Sequence, residues 1–137
     1  MTPEQIAVVQ SSWQQFASLG DNIVEQFYAK LFELDPGVRS MFHGDMADQR
    51  RKLALMLNTI VTKLDRPDEM VPMAQSLARR HVRYGVKDEH YETVGGAFLW
   101  TLSAGLGDAF TDDVKDAWIT AYTTLSKVMT DAAAAIA

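Results

Sequence analysis

The sequence predicts an all-α fold of about seven helices, and three observations lead there. Apolar residues recur at spacings of three and four along most of the chain. No segment alternates with the period of two that a half-buried strand requires. Capping residues, prolines and glycines punctuate the periodic stretches at intervals suited to short helices, and no internal repeat is visible.

Taken in order, Thr2 as N-cap, Pro3 at the first helical position and Gln5 three residues after the cap compose a capping box. Ile6, Val9, Trp13 and Phe16 give that helix its apolar face up to Gly20. Asp21 is suited to cap a second helix, whose stripe is Ile23, Val24, Phe27, Tyr28, Leu31 and Phe32. Asp35-Pro36 closes it, a short segment from Pro36 to Met41 leads into Phe42, and His43-Gly44-Asp45 reads as a loop. Leu53, Met56, Leu57, Ile60, Val61 and Leu64 mark the clearest amphipathic helix of the chain. Pro67 and Pro72 bracket a stretch that cannot be uninterrupted helix without losing backbone hydrogen bonds. The next helix is therefore expected to start near Pro72 and to carry Ala74, Leu77, Ala78 and His81 on one face. Asp88 starts a helix through Tyr91, Val94, Phe98 and Leu102 that ends around Gly105 and Gly107. Its Gly95-Gly96 pair costs roughly 2 kcal/mol of helix propensity relative to alanines, which close approach by another helix or a flat ligand would offset. Thr111 caps the last helix, with Val114, Ala117, Trp118, Ala121, Leu125, Val128 and Met129 on its face and Ala132 to Ala135 as a helical tail.

A chain of 137 residues is expected to form one domain, residues 1–137, without a second catalytic module. With 47% hydrophobic and 23% charged residues it has an ordinary globular balance, which excludes a disordered chain. The net charge of −5, with no basic block longer than Arg50-Arg51-Lys52 or Arg79-Arg80, argues against nucleic acid as a partner. The absence of cysteine excludes disulfides, thiolate-held metal, iron–sulfur clusters and thioether-attached haem. No run approaches the ~20 apolar residues of a membrane span, and Met-Thr-Pro-Glu-Gln does not read as a signal peptide. No membrane insertion and a cytoplasmic location are expected.

Polar residues on apolar faces are the ones to question, because a buried polar group without a partner costs roughly 1–3 kcal/mol. His81 continues the stripe of Ala74, Leu77 and Ala78 where another leucine would be expected. Its neighbours Arg79, Arg80 and Arg83 discourage a second positive charge, so the imidazole is expected to be neutral, as a metal ligand must be. Gln49 lies four residues before Leu53 on the best amphipathic face, Tyr28 sits on the stripe of the second helix, and Tyr91 begins that of the fifth. Each alone has an ordinary structural explanation, a carbonyl partner or a cap. A flat apolar cofactor enclosed by the helices would give all four a common purpose. His81 would ligate a metal from one side, Tyr28 and Gln49 would face the other, and Met56, Leu53, Phe42, Phe32, Val86 and Val94 would form an apolar wall. Arg80, Lys52 or Arg83 would then meet carboxylates at the solvent edge.

These residues resemble those of the globins, and more narrowly of the single-domain bacterial haemoglobins related to the haem domain of flavohaemoglobins. The resemblance is carried by Phe27-Tyr28-Ala29-Lys30-Leu31-Phe32, by Pro36 with Val38-Arg39-Ser40-Met41-Phe42, and by Gln49 four residues before Leu53. It continues in Arg80-His81 leading to Tyr84-Gly85-Val86, in His90-Tyr91 before Val94-Gly95, and in Asp116-Ala117-Trp118 with Ala121-Tyr122. It implies a globin fold around haem b (iron protoporphyrin IX), with His81 as the iron ligand and Phe42 packed on the porphyrin. It also implies Tyr28 and Gln49 on the distal side, and Tyr91 hydrogen-bonding near the ligand histidine. Where the group carries a glutamate in its last helix, this chain reads Asp131-Ala132-Ala133-Ala134. Asp131 is shorter and out of register, so a strong electron push onto His81 is not expected.

The function implied is reversible, high-affinity binding of O2 and other diatomic gases such as NO or CO, for oxygen transport or storage. Hydrogen bonds from the Tyr28 hydroxyl and the Gln49 amide to a ligand with partial negative charge contribute ~1.5–3 kcal/mol each, which slows escape. The enzymatic alternative is a nitric oxide dioxygenase, which would need an external reductase because 137 residues cannot hold one. Peroxidase or nitrite-reductase activity is less attractive given Ala133, and a haem-based sensor would want a signalling domain. A zinc site of His43, His81 and His90 lacks the spacing that zinc ligands show.

Overall fold

The computed structural model describes residues 1–19, 21–42 and 44–136, with the backbone alone for Asp21, Asn22 and Ile136. Six α-helices follow one another: α1 (Pro3–Ala17), α2 (Asp21–Leu34), α3 (Met46–Thr62), α4 (Pro67–Arg83), α5 (Asp88–Leu106) and α6 (Asp112–Ile136). Segments of 3-10 helix occupy Pro36–Met41 and Gly107–Ala109, and no strand occurs among the described residues. The architecture is all-α, as the periodicity requires.

Local chemistry accounts for most helix ends. The Thr2 hydroxyl accepts from the Gln5 amide (3.1 Å) while the Gln5 side chain accepts from the Thr2 N–H (2.9 Å), the reciprocal capping box that starts α1. Asp45 caps α3 by accepting from Ala47 N–H at 2.9 Å, and the Thr111 hydroxyl accepts from Val114 N–H (3.3 Å) before α6. α5 stops at Gly107, whose φ of +55° is open to glycine at little cost. Two expectations need correction. Asp21 is the first residue of α2 rather than its cap, and the proposed stop at Gly20 lies outside the described residues. More consequentially, α4 starts at Pro67 and runs through Pro72 without a break. Pro67 takes the first helical position, where no N–H is needed. The bond that Pro72 cannot donate leaves the carbonyl of the exposed Asp68 to water, and Met70, Ala74 and Ala78 are buried along the face that holds the helix in place.

The core sits where α1, α5 and α6 meet, with α2 laid against α5 and α4 against α6. Val9, Trp13 and Phe16 of α1 pack with Phe98 and Leu102 of α5 and Ala117, Trp118 and Ala121 of α6. Ring centroids are 5.5 Å apart for Phe98–Trp118 and 6.2 Å for Trp13–Trp118. Each such buried side chain contributes roughly 1.5–3 kcal/mol. Polar atoms in this region are satisfied: Trp118 Nε1 donates to Ser12 Oγ (2.8 Å), Ser12 Oγ to the Val8 carbonyl (2.7 Å), Trp13 Nε1 to Asn58 Oδ1 (3.0 Å) and Thr101 Oγ1 to the Ala97 carbonyl (2.7 Å).

The Gly95-Gly96 pair resolves into two unlike cases. A Cβ on Gly95 would stand 2.6 Å from the Tyr122 ring, so glycine there is what lets α6 approach α5 closely. Gly96 faces open space, and nothing in the packing accounts for it. Among the described residues, no helix is long and apolar enough to cross a membrane.

Candidate functional site

The stripe of α4 is fully buried at Ala74 and Ala78 and emerges at half-buried Leu77 and His81. His81 therefore ends the stripe at the edge of the core rather than inside it. Its Nδ1 lies 2.8 Å from the Leu77 carbonyl oxygen. A carbonyl can only accept, so Nδ1 carries the proton and Nε2 keeps its lone pair. Burial pushes the imidazole below its ordinary value; the bond to Leu77 opposes this and the Arg80 charge adds to it. The ring is held neutral with one nitrogen fixed and the other available, the state in which histidine ligates a metal.

The end of α4 is built around the same residue. Val86 N–H donates to the His81 carbonyl (3.0 Å) and Gly85 N–H to that of Val82 (3.1 Å), with Gly85 at φ +85°. These two bonds form a Schellman motif, whose left-handed position favours glycine. Half-buried Val86 is thereby tied to His81 through the backbone. The aromatic neighbour of the imidazole is Tyr84, 6.1 Å between ring centroids.

A second group of residues gathers on α2, the 3-10 segment and the start of α3. Tyr28 is buried, edge-on to Phe42 (5.4 Å) and 6.0 Å from Phe32, and Phe32 and Phe42 are themselves 5.6 Å apart. Tyr28, Phe32 and Phe42 thus form one aromatic cluster. Among the described residues no group hydrogen-bonds the Tyr28 hydroxyl. Burial pushes it up to about 12, against a smaller downward pull from the Arg50 charge. Tyr28 is thus a phenol at every ordinary pH, with a proton to donate. Gln49 is half-buried in the first turns of α3, and its amide also lacks a partner among the described residues. Farther along α3, Leu53 and Met56 are half-buried while Ile60 and Val61 are buried. The helix runs from the core at its C-terminal end to a partly open apolar face at its N-terminal end.

The other expected residues sort themselves. Val94 and Tyr91 pack half-buried against the core. Tyr91 does not hydrogen-bond His81, whose Nδ1 goes instead to the carbonyl one turn back on its own helix. The Tyr91 carbonyl accepts from the Tyr122 hydroxyl, and its own phenol is pushed up by burial and by Asp88. Lys52 is exposed and pairs with Asp48 at 3.2 Å. Arg80 and Arg83 are exposed and unpaired among the described residues. Asp131 pairs with Lys127 at 3.2 Å on the exposed side of α6, away from any role as an acid partner of His81. His90 Nδ1 accepts from Lys87 N–H (2.9 Å) at the start of α5. His43 lies outside the described residues, and no cluster of three or more His, Cys, Asp or Glu suited to a metal occurs among those described.

Sequence reasoning missed three contributors: the Leu77 carbonyl, Gly85 as the left-handed cap, and Arg50. The first two have local signals, a residue four before the histidine and a glycine just past the helix end. Arg50 has none, since only packing brings its charge within range of Tyr28.

Residues 25–129 match the globin family. Across 132 residues, 94% of the chain, it is 30% identical to a flavohemoprotein of Bordetella parapertussis and 32% identical to one of Deinococcus radiodurans. It spans 33% of the length of each of those relatives. A crystal structure titled as a hexacoordinated heme protein from an anhydrobiotic tardigrade, at pH 4, superposes with a TM-score of 0.88. That likeness covers 97% of this chain and 95% of the other at 14% identity, a similarity of fold. With most of its length matched to the family and its fold shared, this chain belongs to the globins.

Proposed function

We propose that the chain holds haem b and binds O2 and other diatomic gases reversibly and with high affinity, with His81 as the iron ligand. The observation that carries this is the His81 ring, neutral, pinned through Nδ1 to Leu77 and free at Nε2. One available nitrogen, with no group of three or more metal-binding side chains among the described residues, suits a metal that arrives inside a macrocycle and needs one protein ligand. Absence of cysteine suits a haem held without thioether bonds. Membership of the globins supports the same reading.

Bound haem would supply an iron with a coordination position for a small gas. The chain's own groups then decide what stays there. Tyr28 donates from a buried phenol that burial keeps protonated, and Gln49 offers an amide from the start of α3. Phe42, Leu53, Met56, Val86 and Val94 supply apolar surface that excludes water, which strengthens those hydrogen bonds. Arg80 and Arg83, exposed on the same helix as His81, would meet the carboxylates of the haem at the solvent edge.

A second reading, nitric oxide dioxygenase, is favoured by relatives whose name couples haem to flavin and which are about three times as long. These 137 residues would then take electrons from a reductase that lies outside them. Against vigorous redox turnover stands the neutral carbonyl on His81 Nδ1, where a carboxylate would push electron density onto the imidazole.

Haem titration of the purified chain is expected to give a Soret band and a CO-bound ferrous spectrum; no band would sink both readings. O2 should leave the Tyr28→Phe holoprotein roughly ten- to a hundredfold faster than the native one. An unchanged rate removes Tyr28 from ligand retention. Sustained NADH-dependent NO consumption with an added reductase, rather than a single stoichiometric burst, would favour the enzyme.

A further inference from the structure

Four of the chain's 13 lysines and arginines, Arg79, Arg80, Arg83 and Lys87, crowd into the end of α4 and the turn after it, and no acid occurs between Glu69 and Asp88 in a chain that carries 18. All four cations are exposed, and none forms an ion pair among the described residues. Helix-end preference accounts for two of them, since a cation suits the negative C-terminal end of α4, where Arg80 and Arg83 lie in the last turn. It does not account for the others. Arg79 stands one turn before Arg83, so two like charges share a helix face, which is mildly unfavourable. Lys87 precedes the first residue of α5, the positive end of that helix, where a cation is disfavoured. Two large side chains are open to solvent in the same stretch: Val82 is 37% exposed and Tyr84 59%, more than any other aromatic residue among those described. Exposed tyrosine and arginine together are the composition of a protein interface rather than of a merely solvated face. The Tyr84 ring also lies 6.1 Å from that of His81, centroid to centroid.

We infer that the end of α4, from Arg79 through Tyr84 to Lys87, is a docking face for an acidic electron-donor protein that carries reduced flavin, with Tyr84 at the centre of the contact. Charge selects the partner. A second copy of this face would be repelled by the same four cations, whereas a carboxylate-rich surface is steered toward them. Position suits the task, because a partner seated on Tyr84 is next to the imidazole proposed to hold the iron, and electron transfer weakens steeply with distance. One electron passes from the partner's reduced flavin, which is oxidised by that electron, to ferric haem, which becomes ferrous; no bond forms or breaks. The inference rests on the nitric oxide dioxygenase reading, which needs a reductase outside these residues.

Mixing the ferric haem-loaded protein with reduced flavodoxin, an acidic flavin protein, and following haem reduction by stopped flow tests it. The second-order rate is expected to fall about tenfold from low to high salt. The double variant Arg79→Gln with Lys87→Gln, which spares the cations proposed for the haem carboxylates, should lower the low-salt rate about three- to tenfold. Tyr84→Ala should lower it about tenfold at either salt concentration, and Tyr84→Phe, which keeps the ring, should stay within about twofold of native. Exposed Arg51→Gln, on α3, should also stay within about twofold. Oxidised flavodoxin added to the isotope-labelled ferrous CO complex should shift the amide resonances of residues 79–87 before those of α6. Absence of haem reduction, a rate insensitive to salt, an equal loss in Arg51→Gln, a parallel loss of CO affinity in the α4 variants, or amide shifts confined elsewhere overturns the assignment. Failure to take up haem overturns the haem reading and this inference together, whereas sustained NO consumption with an added reductase that the double variant does not slow overturns the docking face alone.

Discussion

Two regions of this molecule treat polar groups in opposite ways. Where α1, α5 and α6 meet, Trp118 Nε1 donates to Ser12, Ser12 to the Val8 carbonyl, Trp13 to Asn58 and Thr101 to the Ala97 carbonyl. On α2 and the first turns of α3, the Tyr28 hydroxyl, the Gln49 amide and the Arg50 guanidinium have no such partners among the described residues, and His81 on α4 uses one ring nitrogen of two. The same chain that closes every bond in its core leaves donors open at its proposed site. Stability explains the first arrangement, since an unpaired buried donor costs about 1–3 kcal/mol. The second carries no such cost, since no buried side-chain polar atom lacks a partner among the described residues, and its open donors reach solvent, where a ligand can meet them.

The largest expected effect breaks the open region outright. His81→Gly should abolish the native haem spectrum, and free imidazole added to that variant should restore it, because only the ligating nitrogen is replaced. Persistence of the native spectrum would move the iron ligand elsewhere. In the closed region, Trp118→Ala should lower the free energy of unfolding by about 3–5 kcal/mol in a denaturant titration, as expected for emptying a large ring from a packed core.

A smaller pair of variants sharpens the contrast in the haem-free chain. Ser12→Ala strands Trp118 Nε1 and should cost about 1–3 kcal/mol, whereas Tyr28→Phe removes a hydroxyl that holds nothing and should change stability by no more than about 0.5 kcal/mol. Equal costs would mean that Tyr28 is a structural tyrosine. The smallest effect lies in pH. Folding keeps Tyr28 protonated to about 12, above the ordinary 10, so above pH 10 the unfolded chain sheds the proton first. Stability from this group is complete below pH 10 and is lost as pH rises toward 12. Tyr28→Phe should flatten that part of the alkaline stability profile, measured by denaturation on either side of pH 10.

Much of this was legible in the chain because it is local. Thr2-Pro3-Gln5 starts α1 within one turn, and the stripe through Ala74, Leu77 and Ala78 points to His81 by helical spacing alone. Pro72 misled for the same reason. A local rule forbids the lost hydrogen bond, yet burial of Met70, Ala74 and Ala78 on the same helix outweighs it. Gly95 was readable as a place of close approach, but whether helix or ligand approached was not, and Tyr122 of α6 is the answer. Asp131 shows the limit from another side, a carboxylate close in sequence to the needed position and turned to Lys127 instead.

By itself, then, the sequence determined the helices, the caps Thr2 and Thr111, the neutral histidine on an apolar face and the set of residues worth questioning. Those follow from spacing, charge and conformational preference within a few residues. Only the tertiary structure decided that His81 bonds Leu77 rather than Tyr91, that Lys52 pairs with Asp48, and that Arg50 stands half-buried without an ion pair among the described residues. Such pairings depend on how α2, α3 and α4 pack and on which donors reach an acceptor first, and distance in space is not written in the spacing of residues along a chain.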